Sequence, residues 1–312
     1  MRLYRSPVKP ILLAMVGLNG CDSGWVVYDD LRIYSSPYSM VDWATVNRLK
    51  GQHHDHVGIS LQRLQAYDDA GYHAVSLMDY SGNASLSYTW RERAWPSETW
   101  LPAQFVSGLS NIEFFIPNAE EVGIKDHHST SPFLTSFIEI QPSPNSSSKQ
   151  PWQYNSLKEM FELISAGGGL PCRAHAWERG VAYSEHTGVF CAEIYTAFAE
   201  AKRYQGYFAF ADRNQTLVDN WDRALAFNQS VWGIAVNDHF GPYASSSIPG
   251  SIRDSGKIVV FSAERTLDAY RSAMIQGAFI AIRDMGIVKD QYPVIDEIAL
   301  MADSIRVDTR GE

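Results

Sequence analysis

From about residue 60 onward the chain repeats one pattern: apolar residues at helical spacing, a glycine, then a short apolar run that stops at a polar residue. Leu61 to Tyr67 places its apolar positions at helical spacing, Gly71 follows as a stop, and Ala74 to Met78 reads as a buried strand ending at Asp79. Leu157 to Ile164 repeats the helix, Gly167-Gly168-Gly169 breaks it, and Leu170 to Ala174 reads as a strand before His175. Ala224 to Phe227 leads into the strand Trp232 to Val236, which stops at Asn237-Asp238-His239. Helices alternating with strands predict an α/β fold on a parallel sheet, open or closed into a barrel. Residues 22–48 lack clear periodicity and read as a lead-in, while Pro142 to Pro151 reads as an inserted surface loop.

The polar residues fall in telling places. His54, His56, Asp79, Glu113, His175 and Asp238 stand at, or just after, the C-terminal ends of candidate strands. In a βα barrel those ends converge on one face, where side chains from distant segments meet. Of the nine histidines, His53, His54 and His56 form one group, His127 and His128 a second, and His175 and His239 each close a strand. Imidazoles accompanied by carboxylates suit Zn, Mn or Fe. In an extended segment, residues two apart point the same way, so His54 and His56 can address one ion.

Composition narrows the partners. The 312 residues are 45% apolar and 12% aromatic, which excludes a disordered chain. Thirty-five acidic against 26 basic residues give a net charge of −9, unlike the basic surplus of a broad nucleic-acid footprint, so no nucleic-acid partner is expected. Arg2, Arg5 and Lys9 precede the apolar run Ile11 to Leu18, the form of a secretory signal and short of the ~20 residues a spanning helix needs. The next tetrad, Leu18-Asn19-Gly20-Cys21, resembles the bacterial lipobox. That resemblance implies a signal over residues 1–20, lipidation at Cys21 and an extracytoplasmic chain held at a membrane only by its lipid. Asp22 resembles the signal that retains Gram-negative lipoproteins at the inner membrane. Cys172 and Cys191 remain; an oxidising compartment would allow them to pair, but their short apolar runs favour two buried free thiols.

Several motifs resemble the PHP (polymerase and histidinol phosphatase) superfamily of metal-dependent phosphoesterases. Lys50-Gly51-Gln52-His53-His54-Asp55-His56, then Ala66 to Tyr72 and Met78-Asp79, is similar to its opening motif. Asn111-Ile112-Glu113 resembles the motif whose glutamate bridges two metals, Arg173-Ala174-His175 the Ala-His motif, and Val236-Asn237-Asp238-His239 the terminal Asp-x-His. Gly277-Ala278-Phe279 resembles the segment after the last barrel helix. The resemblance covers roughly residues 40–285 and implies a distorted seven-stranded (β/α) barrel over 49–285, after the lead-in at 21–48, with 286–312 as a C-terminal extension.

Departures from the family pattern matter. Tyr80 stands where the family has a ligand histidine, and Phe240 where it has its last one. The resemblance then implies two divalent ions bridged by Glu113: one on His54, His56 and Asp238, the other on His127 or His128 and His175. An alternative alignment matches Asn237 and His239 to the terminal pair. Asp79 would orient a ligand or accept a proton, and Tyr80 would donate a hydrogen bond. Trp90, Arg91 and Arg93, in a loop rising from a strand end, are candidates for holding a small phosphate ester. The expected activity is hydrolysis of that ester. A degraded, binding-only member and an amidohydrolase-like C–N hydrolase are the alternatives, and the oligomeric state stays open.

Overall fold

The predicted alternation of helices and strands is present in the computed structural model, with the run Leu170 to Ala174 reduced to a two-residue strand. The structure describes residues 37–55, 61–76, 79–80, 108–116, 120–124, 127–135, 157–175, 188–210, 212–226, 231–238, 241, 253–283, 294–300 and 305–310. In chain order the strands are β1 (Asn47–Gln52), β2 (Ala74–Ser76), β3 (Asp79–Tyr80), β4 (Phe114–Ile116), β5 (Glu120–Ile124), β6 (His127–Thr130), β7 (Cys172–Arg173), β8 (Cys191–Thr196), β9 (Trp232–Val236), β10 (Gly256–Ser262), β11 (Phe279–Arg283), β12 (Val294–Leu300) and β13 (Ile305–Arg310). The helices are α1 (Leu61–Asp69), α2 (Leu157–Ala166), α3 (Ala197–Tyr204), α4 (Arg213–Ala226) and α5 (Leu267–Gln276).

The architecture is mixed α/β. One sheet has the order β11-β10-β1-β2-β4, a second β3-β5-β6-β7-β8-β9, and β12 and β13 form a hairpin. Pairings β1–β2, β2–β4, β7–β8 and β8–β9 are parallel, but β1–β10, β10–β11, β5–β6 and β6–β7 are antiparallel. The seven-stranded barrel expected from the sequence is not confirmed: among the described residues no ladder joins the two sheets. The reason is local. The run beginning at Ala74 leaves the first sheet after Ser76, and Asp79–Tyr80 pair instead with β5 in the second.

Both sheets nevertheless enclose one apolar core. Leu49 of β1, Ala74 of β2, Cys172 of β7, Ile234 and Val236 of β9, and Ile258 and Val260 of β10 belong to it, and α5 adds Tyr270 and Met274. Helices cover the outside: α1 packs Leu64 and Tyr67 against Val75 and Ile112, and α2 packs Met160, Phe161 and Ile164 against Ala192 and Val231. The start of β10 lies directly against β9 of the other sheet. A Cβ on Gly256 would overlap the Val236 carbonyl, so only glycine permits that approach. Gly277 ends α5 in the left-handed region at φ 76°, and its α-carbon lies under the Trp232 ring.

Two further features bear on the site. Cys172 and Cys191 are not free thiols. Parallel register sets them opposite one another with Cα atoms 4.4 Å apart, within disulfide reach, and they are bonded. The C-terminal hairpin packs on the main core through Ile298, with Arg48 Nε donating to the Ile295 carbonyl at 2.6 Å. No helix among the described residues is long and apolar enough to cross a membrane; Cys21 and the basic-apolar N-terminus lie outside them.

Candidate metal centre

The site begins where β1 ends. Gln52 turns its amide oxygen back onto the chain and accepts from the N–H of His53 (3.0 Å) and of His54 (3.1 Å), while its Nε2 donates to the Gly256 carbonyl. This sharp turn sends the two rings in different directions. His53 enters the core, stacks on Tyr270 and shares a 2.9 Å hydrogen bond with its hydroxyl; burial lowers its pKa to about 3. His54 points to the second sheet.

There it meets residues that follow β7 and β9. One ligand atom each from His54, His175 and Asp238 lies within 4.8 Å of the others, and all three residues are buried. His54 Nε2 is 3.6 Å from Asp238 Oδ1, and the His54 and His175 ring centroids are 5.8 Å apart. The backbone ties the turns together, since Asp238 N–H donates to the His54 carbonyl at 2.6 Å. His175 (φ 24°) and Asp238 (φ 57°) both have positive φ, where β-carbon sterics disfavour most side chains and His and Asp are comparatively tolerated. Strain held at converging side chains marks a site whose surroundings over-determine it. Two imidazoles and a carboxylate are the donor chemistry of a borderline divalent ion, so this group can hold one.

The remaining candidates divide. His128, in β6, presents its ring edge-on to His175 with centroids 5.1 Å apart, and its carbonyl accepts from Ala174 N–H. His127 opens the same strand, and Asp79–Tyr80 form β3 at the far edge of that sheet; only their backbones are described. His56, His239, Trp90, Arg91 and Arg93 lie outside the described residues. Asn237 does not compete with Asp238 for the cluster. Its side chain accepts from Gly256 N–H and donates to Asp254.

Glu113 requires correction. It was expected at a strand's C-terminal end, bridging two ions, but it precedes β4 and sits level with His73, whose carbonyl accepts its N–H. His73 in turn is level with Lys50, four residues upstream of His54. At that opposite end Glu113 forms a surface ion pair with Arg265, whose hydrogen bonds hold its carboxyl below the ordinary value against the opposing effect of burial. β4 begins only after Glu113, with Phe114 in the first pairing position opposite Ala74, so Glu113 stands at the N-terminal end of the strand and not at its C-terminal end.

A carboxylate that sequence reasoning passed over does reach the cluster. Glu193, from the middle of β8, lies against His54 Nδ1 through Oε1 and accepts from His175 N–H through Oε2 at 2.6 Å. Its signal was an acid inside the otherwise uncharged run Cys191–Thr196, all of it buried. Glutamate is almost never fully buried unless paired.

Next to the cluster is a second buried polar group. Asp254 accepts from Tyr72 and, at 3.2 Å, from Asn237, with Lys50 Nζ and Lys257 Nζ each 3.3 Å from its other oxygen. Tyr67 donates to Asp55 and accepts from Asn237 at 3.5 Å. Burial alone would raise the Asp254 pKa; the two lysines and the hydrogen bonds outweigh it and hold the carboxyl below its ordinary value. Asp68, in α1, caps the N–H groups of Ser110, Asn111 and Ile112 and so fixes the entry to β4.

No protein-family model matches this chain, and no curated protein does. Among solved structures it is similar to a crystal structure from Bacteroides vulgatus ATCC 8482, described as a two-domain protein containing a predicted PHP-like metal-dependent phosphoesterase. The identity is 17%, the TM-score 0.42, and the match covers 78% of this chain and 66% of that one, just under two thirds of its length. A likeness that shallow bears no weight for chemistry, and the reading of the site rests on its own side chains.

Proposed function

We propose that the chain is a metal-dependent hydrolase of small phosphate esters, working outside the cytoplasm. One observation carries the reading: His54, His175 and Asp238, drawn from three separate strand ends and all buried, bring their ligand atoms within 4.8 Å of one another. A bound divalent ion would supply Lewis acidity toward a phosphoryl oxygen and ease deprotonation of water near neutral pH. The chain's own contribution is to bind and orient. His54 and His175 offer imidazole nitrogens, Asp238 offers charge, and the tight backbone bond between Asp238 and His54 keeps their spacing. His56, His127 or His128, and under the alternative alignment His239, are the proposed further ligands of a two-ion centre, without Glu113 as bridge. Asp79 is proposed to orient a ligand or accept a proton, Tyr80 to donate a hydrogen bond, and Trp90, Arg91 and Arg93 to bind the ester. The Cys172–Cys191 disulfide supports an oxidising compartment, consistent with lipidation at Cys21 and residence at a membrane surface.

Glu113 favours a second reading. With that carboxylate committed to Arg265, the described ligands suffice for one ion, which suits a metal-stabilised binding protein that no longer hydrolyses.

Metal analysis of the purified protein, with turnover of phosphomonoesters, phosphodiesters and amides, separates these readings. The expected result is about two equivalents of Zn, Mn or Fe, with phosphoesterase activity lost in chelator. His175→Ala should lose both metal and activity. Bound metal without turnover would establish the binding protein, and amide turnover a C–N hydrolase. A folded chain that takes up none of the three ions overturns the proposal.

A further inference from the structure

Building on the metal-centre reading, we infer that Glu193 is the positioning residue of the cluster, one carboxylate that fixes the His54 ring and the His175 turn together. Both oxygens are engaged, one by His54 Nδ1 and the other by His175 N–H at 2.6 Å. A neutral imidazole carries one N–H and one lone pair, so donation from Nδ1 leaves the lone pair on Nε2. Nε2 is the nitrogen that faces Asp238, 3.6 Å away. Glu193 therefore selects the tautomer in which His54 offers its lone pair to the cluster, an arrangement metal-bound histidines commonly show.

The second oxygen acts on the backbone. His175 sits at φ 24°, a conformation that must be held from outside, and a charge-assisted bond from its N–H to Glu193 holds it. Glu193 is itself well anchored. It lies two residues after Cys191, whose disulfide to Cys172 locks β8 to the strand that leads into His175.

Charge points the same way. Glu193 is 1% exposed, and among the described residues no lysine or arginine meets it. A buried carboxylate normally needs a cation, and a divalent ion on His54 Nε2, beside His175 and Asp238, would supply positive charge across the ring. Aspartate, one methylene shorter, would not span both partners.

Glu193→Ala and the milder Glu193→Gln, made in the full chain, test the assignment. Titration calorimetry with Zn²⁺ and Mn²⁺ should show affinity reduced roughly 10–100-fold in Glu193→Ala. Glu193→Gln, which keeps an acceptor for His54, should recover part of it. Long-range ¹H–¹⁵N spectra of the metal-free wild type should show His54 protonated at Nδ1, and Glu193→Ala should lose that preference. A role confined to packing would lower the melting temperature while leaving tautomer and affinity alone. His54 protonated at Nε2 in the wild type, or Zn²⁺ affinity within about twofold of wild type in a folded Glu193→Ala, overturns the inference. If the wild type binds neither ion, the metal reading falls while the tautomer measurement still decides the role of Glu193.

Discussion

Two buried polar groups lie side by side in this protein and share two turns. Asp55 follows His54, and Asn237 precedes Asp238, so each turn sends one side chain to each group. In the Asp254 group an acid is met by two ammonium groups, a phenol and an amide, and its carboxyl is held in the charged form. In the His54 group the converging atoms are imidazole nitrogens and carboxylate oxygens. The first arrangement sets its acid against cations of the chain, whereas the second brings three potential metal-ligand atoms within 4.8 Å of one another. Burial of polar residues therefore does not by itself mark a functional site. The informative property is the kind of atom that converges: ammonium and phenol hydrogens on an acid in one group, imidazole nitrogens and a carboxylate in the other.

Disrupting the Asp254 group should cost the most stability. Asp254→Asn removes the counter-charge of the buried Lys257 and the half-buried Lys50, and removing one partner of such a cluster destabilises by about 3–5 kcal/mol. Divalent-ion affinity, measured where the variant is folded, should stay near wild type. The pH dependence has a defined sign. Because folding depresses the Asp254 pKa below its ordinary 3.8, its contribution is fully present above that value. It is lost as pH falls through the lower folded-state value, so acid unfolding curves of Asp254→Asn should be flatter over that window.

The disulfide comes next. Replacing Cys172 and Cys191 together by serine opens a loop of 19 residues' separation, worth roughly 3 kcal/mol on loop entropy. Chemical denaturation should register that loss. If β7 and β8 owe their register to the disulfide, metal affinity should fall with it; unchanged affinity would mean that pairing with β6 and β9 suffices.

Glu113→Gln should do least. Its ion pair with Arg265 is at the surface, where such pairs contribute about 0–1 kcal/mol. Metal binding should be unchanged in calorimetry, and a large loss would restore Glu113 to the centre.

Much of the local structure was legible in the sequence. Helices α1 and α2 and strand β9 lie where the apolar spacing put them, because helix and strand periodicities are imposed by nearest neighbours along the chain. The glycine after α1 is in the left-handed region, at φ 72°. His175 and Asp238 were recognisable because each closes an apolar run, and His54 because it stands in the cluster His53-His54-Asp55-His56. Glu193 was not, since an acid within a buried strand carries no motif and gains its meaning only from His54, 139 residues away in the chain.

Sequence alone determined the alternation of elements, the acidic balance and the set of imidazoles and acids available, all of which depend on residue identity and short-range spacing. Tertiary structure decided the rest: that strands from Ala74 and Asp79 part into different sheets, that Cys172 meets Cys191, and that Glu113 turns to Arg265 while Glu193 takes a place beside His54. Those outcomes turn on strand register, and a shift of one residue exchanges the faces of a strand and redirects every side chain on it.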